Sequence, residues 1–259
     1  MRRSLLPRRL RHGEEATLIE HLGELRTRLL VCILALVPSF IVAFAFHGRL
    51  IEWLSAPLPD DKRLVTFGVT EPFFTSVKVS FYAALAVALP VLLYQVWSFL
   101  APAFEEKTQR VVTVFVAIAT ALFAGGVAFS YYIALPRAVE FLTTYDENLY
   151  DIQVRASYYY SFAALVLFAM GMVFELPIWI LALVRLRVLT ADKLRRNRRV
   201  GFVLVVVLAI LLPTVDPVSL LFETLPLLVL FEASIWLAVL MERRWERADD
   251  RFWAEPEQP

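Results

Sequence analysis

Residues 17–30 read TLIEHLGELRTRLL and join a polar N-terminal segment to the first long apolar run of the chain. In a helix the leucines recur three and four residues apart, so Leu22, Leu25 and Leu29 form one apolar stripe. Glu24 and Arg28 lie one turn apart on another face, with the acid N-terminal to the base, which favours an ion pair. The stretch therefore predicts an amphipathic helix that leads into the membrane.

Two interpretations of this amphipathic segment stay open on its pattern alone. It could lie along the membrane surface as an interfacial anchor with an internal ion pair. Its carboxylates could instead form a docking face for a basic partner. The periodicity is the same in both cases, so the rest of the chain has to decide.

Composition indicates a polytopic membrane protein. The chain has 259 residues, of which 59% are hydrophobic, and its mean hydropathy is +0.63. Long uncharged runs separate islands of charge, as in a chain that crosses a bilayer several times. The single cysteine, Cys32, excludes an internal disulfide. Metalloprotease, serine-hydrolase and phosphate-loop motifs are missing, so we predict that the protein is not an enzyme and needs no cofactor or metal.

Six apolar runs predict six transmembrane helices, because a span must satisfy its own backbone polar groups. They cover residues 29–46, 79–100, 111–135, 156–184, 200–212 and 218–241. The fifth run reaches only about 20 Å as a helix, less than the roughly 30 Å of a bilayer core. We predict one membrane domain over 1–259, with an N-terminal arm and collar (1–28), a helix bundle (29–241) and a C-terminal tail (242–259).

The distribution of basic residues predicts the orientation. Segments 1–28, 101–110, 185–199 and 242–259 carry 20 Lys and Arg, whereas the alternate segments carry five, and Lys78 lies at the start of the second run. By the positive-inside rule both termini are cytosolic. The expected location is therefore the inner (plasma) membrane of a cell, with the protein in direct contact with lipid.

Acidic residues inside the spans are candidates for function, because a charge at membrane depth is costly and usually faces protein or water. Glu175 lies just before Pro177, and Glu232 lies midway along the sixth run. Each could be a buried acid that is hydrogen-bonded to a neighbouring helix, or a partner site or proton relay. Asp216 followed by Pro217 predicts a structural turn and a helix start, with aspartate as the cap and proline in the first helical position.

Six sequence blocks then point to a family. They read HLGELRTRL (21–29), SAPL (55–58), EPFF (71–74), PVLLYQVWSFLAP (90–102), FELP (174–177) and LFE (230–232). In this order the blocks resemble the TatC family, the polytopic subunit of the twin-arginine (Tat) protein translocase, over about residues 17–241.

The resemblance implies an all-α, glove-shaped bundle of six transmembrane helices with short fifth and sixth helices. It also implies a receptor for the twin-arginine signal peptides of folded proteins, which works with single-span TatA and/or TatB subunits, self-associates and uses the proton-motive force. Signal recognition in the family maps onto Glu24 and Arg26 and onto the first cytosolic loop. Glu175 and Glu232 match acids that are implied to contact partner helices.

The chain departs from the family pattern at three positions. Thr108 replaces a glutamate that usually precedes the third helix, and Glu105 and Glu106 are the nearby candidates to substitute for it in peptide binding. Val215 stands in the turn before Asp216, where the family usually has proline, and Leu220 replaces a glutamine after the turn.

Two other functions stay open from the residues. A proton-coupled small-molecule transporter would use Glu175 and Glu232 as a relay. A passive scaffold for single-span proteins would not depend on Glu24. Nothing in the sequence predicts nucleic-acid binding.

Overall fold

The structure is a computed structural model that describes residues 18–59, 62–100, 109–150, 152–213 and 216–254. Its contacts group into two compact units. The first contains the described residues up to Ala121 together with Asp146–Phe168, and the second contains Leu122–Tyr145 and the described residues from Ala169 onward.

Helices make up most of the described chain. They are α1 (Leu18–Ala45), α2 (His47–Ser55), α3 (Glu71–Leu100), α4 (Gln109–Phe129), α5 (Leu135–Thr144), α6 (Ala156–Phe174), α7 (Leu176–Arg185), α8 (Ala191–Arg196), α9 (Arg198–Ile210) and α10 (Pro217–Ala254). A π-helical turn, Ser130–Ala134, joins α4 to α5, and two short strands are β1 (Leu64–Val65) and β2 (Val154–Arg155).

The amphipathic helix predicted at 17–30 is described from Leu18 onward. It forms the first turns of α1, which continues without interruption into the apolar run. The reason is local, because no proline lies between Leu18 and Pro38. Glu24 and the first transmembrane segment therefore belong to one continuous helix.

Five helical stretches of the described chain are long and apolar enough to cross a membrane. They are Leu22–Ala45, Glu71–Phe99, Val112–Thr144, Ala156–Arg185 and Pro217–Glu242. The remaining predicted run forms α9, which is short, as expected, at 13 residues. The expectation of a short sixth helix is wrong, because α10 has 38 residues. No helix breaker follows Met241 within it, so the helix continues past the apolar run.

Two of the spans contain a break at a proline. The third runs through the π-helical turn and on to Thr144, with Pro136 in the first turn of α5, so the third helix is longer than the apolar run predicted. The fourth is interrupted at Glu175, between α6 and α7, with Pro177 in the first turn of α7. A proline cannot donate to the preceding turn, which agrees with both irregularities. Proline alone does not end a helix in this chain, because Pro38, Pro90 and Pro226 lie inside helices that continue.

In the first unit, α1 packs along α3. Strands β1 and β2 pair in parallel, with Leu64 opposite Val154 and Val65 opposite Arg155. The hydroxyl of Tyr159 donates to the carbonyl of Leu54 at 2.8 Å and so attaches α2 to α6. This end of the unit is thus held by contacts between residues about 90 positions apart, which periodicity could not predict.

In the second unit, the apolar core lies among α6, α7, α9 and α10. Its buried residues are Met170, Ile180, Val205, Ala209, Leu212, Leu227, Phe231 and Ile235. Gly126 of α4 lies so close to α6 that an added Cβ would stand 2.8 Å from the carbonyl oxygen of Met170 and from the side chain of Phe174. Only glycine fits at that crossing.

Candidate peptide-docking site and buried carboxylates

Glu24 forms an ion pair with Arg28 near the start of α1. Arg28 donates twice to Glu24 Oε1, from Nη2 at 2.5 Å and from Nε at 3.0 Å. The two side chains are about one-fifth exposed, 20% for Arg28 and 21% for Glu24. Both bonds fall on the same oxygen, and no described residue donates to Oε2. The carboxylate is therefore held in place while one oxygen can still accept a bond from a ligand.

Arg28 also attaches α1 to the end of α3. Its Nη1 donates to Gln95 Oε1 at 3.3 Å, and its Nη2 donates to the carbonyl of Ser98 at 3.1 Å. The carbonyls in the last turn of a helix have no partner within the helix, so a guanidinium there satisfies one of them and is favoured by the helix dipole. Glu24 is thus positioned by a second helix through Arg28.

The other face of this part of α1 is open. Arg26 is exposed, and the stripe formed by Leu22, Leu25 and Leu29 is between 47% and 63% exposed. A charged pair beside an exposed apolar stripe can receive a segment that carries both a basic and an apolar part. Glu105 and Glu106, the predicted substitutes for the family's loop glutamate, lie outside the described residues.

Glu175 is a fully buried acid without a hydrogen-bond partner in the described structure. The residue has 0% exposure, and neither carboxyl oxygen has a partner among the described residues. It lies at the N-terminus of α7 but does not cap that helix. An ionised carboxylate in such a place would be very costly, so the side chain is adapted either to a neutral state or to a ligand that supplies a donor.

Glu232 is not isolated. Its Oε1 lies 2.5 Å from Arg198 Nη2, and the side chains are 31% and 38% exposed respectively. The pair joins α10 to the start of α9. The Glu232 carboxylate is therefore occupied by a guanidinium from a neighbouring helix, whereas the Glu175 carboxyl group has no partner among the described residues. The structure places Glu175 and Glu232 in the second unit but gives them different environments.

Asp216 and Pro217 form the start of α10. Asp216 Oδ1 accepts a hydrogen bond from the backbone N–H of Ser219 at 2.7 Å, and Pro217 is the first residue of the helix. This is the geometry of an N-cap. Asp216 is buried, so its role in the described structure is to start the helix.

Sequence reasoning missed the most highly coordinated acid of the described chain. Glu71 is only 8% exposed. Arg155 donates a hydrogen bond to each of its carboxylate oxygens, from Nε at 2.9 Å and from Nη2 at 3.1 Å. Three backbone N–H groups, those of Phe67, Gly68 and Ser157, also donate to it at 3.1–3.2 Å. We call this arrangement the Glu71 clamp.

The Glu71 clamp joins the start of α3 to the start of α6. The Arg155 guanidinium also lies 5.7 Å from the ring centre of Phe67 and 5.0 Å from that of Tyr158. Its bond to Glu71 raises the pKa of Arg155. The motif EPFF was visible in the sequence, but its partner lies 84 residues away. No spacing rule connects residues so far apart.

These features define a multi-pass helical membrane protein with an acid held at the start of its first span and an unpaired acid inside its fourth. The family model for the Sec-independent protein translocase protein TatC matches residues 20–226. The protein therefore belongs to the TatC family of Sec-independent protein translocase proteins, which are membrane transport components.

Relatives and solved structures agree with this assignment. The chain is 32% identical to the TatC protein of Magnetococcus marinus, covering 93% of this chain and 92% of that one. It is 33% identical to TatC of Escherichia coli, covering 85% and 87% respectively. The crystal structure of a twin-arginine translocase receptor TatC in the detergent DDM matches with a TM-score of 0.75 at 32% identity, covering 84% of this chain and 99% of that chain.

Proposed function

We propose that this protein is the signal-peptide receptor of a twin-arginine translocase and binds the paired arginines of cargo signal peptides at Glu24. The observation that carries the proposal is the position of Glu24, which Arg28 holds through one carboxylate oxygen beside an exposed leucine stripe. The solved structure that the chain resembles is named as a twin-arginine translocase receptor.

The chemistry of the pair favours arginine over lysine. A guanidinium presents a planar fork that matches a carboxylate, whereas an ammonium is a point charge that is more strongly hydrated. The leucine stripe supplies an apolar surface for the hydrophobic part of a signal peptide. Arg26, exposed on the same helix, is proposed to belong to the same peptide-binding face. Glu105 and Glu106 are proposed to share the contact with the second arginine.

The test is binding of a twin-arginine signal peptide to the purified protein in detergent, compared with a twin-lysine peptide. Glu24→Gln should weaken binding of the arginine peptide about tenfold, because a charged hydrogen bond is lost. The same substitution should remove the preference for arginine over lysine.

Glu140→Gln is the matched control. Glu140 also pairs with an arginine on its own helix, Arg137 at 3.1 Å, but both side chains are more than half exposed. This variant should bind both peptides as the unchanged protein does. Equal binding of both peptides to the Glu24→Gln and unchanged proteins would overturn the proposal and favour a passive scaffold.

In the cell, we propose that the protein lies in the inner membrane with both termini in the cytosol, self-associates, and works with single-span TatA and/or TatB subunits. Transport of folded cargo would use the proton-motive force, and Glu175 and Glu232 would make polar contacts with partner helices. The alternative, a proton-coupled small-molecule transporter, has less support because Glu232 is engaged by Arg198 and because the family consists of protein translocase components.

A further inference from the structure

The first unit contains an open groove within its membrane-spanning part. The groove lies among α1, α3 and α6 and has a volume of about 560 Å³. Its walls are mainly apolar and include Leu36, Phe40, Phe81 and Leu165, and its polar groups are those of Lys78, Ser161 and Tyr82. A concave apolar site with few polar groups, in this range of volumes, is typical of small-molecule binding.

The polarity of the groove changes along its length. Lys78 lies seven residues into α3 and Ser161 five residues into α6, and the Glu71 clamp holds the starts of these two helices together. Phe81 and Leu165 lie about one turn further along the same helices. The groove therefore has its only cation at the end near the Glu71 clamp and a mainly apolar remainder that includes Tyr82, which is the polarity of an anionic membrane lipid.

Lys78 is the only charged residue between positions 72 and 99. It has no acidic partner in the described structure. Its side chain is exposed. At 1.5 Å per residue, its backbone lies about 10 Å from the start of α3. A cation at such a depth is costly unless its ammonium reaches an anion or the interface. Ser161 Oγ, which also lines the groove, is buried and has no hydrogen-bond partner among the described residues.

We propose that this groove binds an anionic membrane phospholipid, with its phosphate on Lys78 and one acyl chain against Leu36, Phe81 and Leu165. Ser161 then has a polar neighbour in the glycerol and ester region. The charge favours an anionic lipid over an apolar protein helix, because Lys78 has no acidic partner among the described residues and a phosphate would supply one beside the apolar walls.

The first test is native mass spectrometry of the full chain in detergent, titrated with phosphatidylglycerol and with phosphatidylcholine of the same acyl chains. The unchanged protein should retain phosphatidylglycerol about fivefold better, the effect of one favourable contact between a basic residue and an anionic lipid. Lys78→Gln should remove this preference, whereas Lys78→Arg should keep it.

Lys62→Gln is the matched control for charge, because Lys62 lies before β1 and outside the groove. It should leave the preference unchanged. If Lys78→Gln behaves like Lys62→Gln, or if both lipids bind equally to the unchanged protein, the proposal is wrong.

A second pair of variants tests the acyl-chain part without altering charge. Leu36→Trp should fill the groove and weaken retention of both lipids. Leu34→Trp adds the same bulk two residues away on the same helix, where the side chain is 71% exposed and outside the groove, and it should have no effect. Equal retention by the two variants would contradict the acyl-chain placement.

A photo-crosslinking residue in place of Phe81, activated in native membranes, identifies the occupant directly. The proposal expects an adduct with the mass of a phospholipid. An adduct with a single-span protein would overturn it and identify the groove as a helix-docking site. Binding of twin-arginine peptide should be unchanged in the Leu36→Trp variant, so failure of this proposal is distinguishable from failure of the proposed receptor function.

Discussion

Glu71 and Glu175 are both acids that the fold removes from solvent, and both lie close to a proline, yet their surroundings are opposite. Glu71 accepts two bonds from Arg155 and three from backbone N–H groups. Glu175 has 0% exposure and accepts none from the described residues. A carboxylate surrounded by donors stabilises the structure that supplies them. One without donors costs stability, so stability does not explain its presence.

The comparison separates a structural acid from a candidate functional one. Removing Glu71 leaves a guanidinium and three N–H groups without their acceptor, whereas removing Glu175 leaves no described group unpaired. The same substitution should therefore cost much more stability at Glu71 than at Glu175. Glu232 lies between these extremes, because it has one basic partner and is about one-third exposed.

The largest effect is expected for Glu71→Gln. The amide keeps the size of the side chain but loses the charge that Arg155 and the N–H groups share, so several charge-assisted bonds weaken together. We expect the melting temperature in detergent to fall by about 5 °C or more. Arg155→Gln should produce a similar fall. An unchanged melting temperature in both variants would show that the Glu71 clamp does not stabilise the first unit.

The next largest effect is expected for Gly126→Ala, which tests whether close packing stabilises the region around Glu175. Gly126→Ala places a methyl group 2.8 Å from Met170 and Phe174, in the turn before Glu175. Overpacking of this kind costs about 1–3 kcal/mol, which thermal unfolding should detect. Gly125→Ala is the matched control, because nothing lies within 4 Å of its Cβ. It should be neutral or stabilising by about 0.5–1 kcal/mol through better helix propensity. Equal effects of the two alanines would contradict the close crossing.

A smaller effect is expected for the ion pair between Arg198 and Glu232. Both side chains are about one-third exposed, so water screens the attraction. We expect a coupling energy of about 0.5–1 kcal/mol. A double-mutant cycle with Arg198→Gln and Glu232→Gln, read by thermal unfolding, measures it. A coupling near zero would mean that the two residues do not form a stabilising pair in detergent.

The smallest effect on stability is expected for Glu175→Gln. No described donor loses its acceptor, and the amide has nearly the same shape, so the free energy of unfolding should change by less than about 1 kcal/mol. Export of folded twin-arginine cargo in cells should nevertheless decrease if Glu175 contacts a partner helix. A loss of stability as large as that of Glu71→Gln would remove the contrast and reveal a partner for Glu175.

Local patterns predicted much of the secondary structure. Uncharged runs predicted helices, and the 13-residue length of α9 followed from its short run. The predicted helix ends were wrong at the edges of the apolar runs, where hydrophobicity no longer indicates how far a helix continues. The third span continues through a π-helical turn, and α10 extends well beyond its apolar run. In both cases the helix continues through polar or proline-containing sequence, because the backbone groups there can still form helical hydrogen bonds.

The sequence by itself determined the family, the membrane class and the acids that are candidates for function, because these depend on composition and on motifs that are contiguous in the chain. Only the tertiary structure decided the state of each acid. It pairs Glu24 with a guanidinium that also binds the end of α3, gives Glu232 the partner Arg198, surrounds Glu71 with donors and leaves Glu175 without any in the described chain. Hydrogen-bond partners of a buried carboxylate come from residues distant in sequence, and their positions follow from how the helices pack.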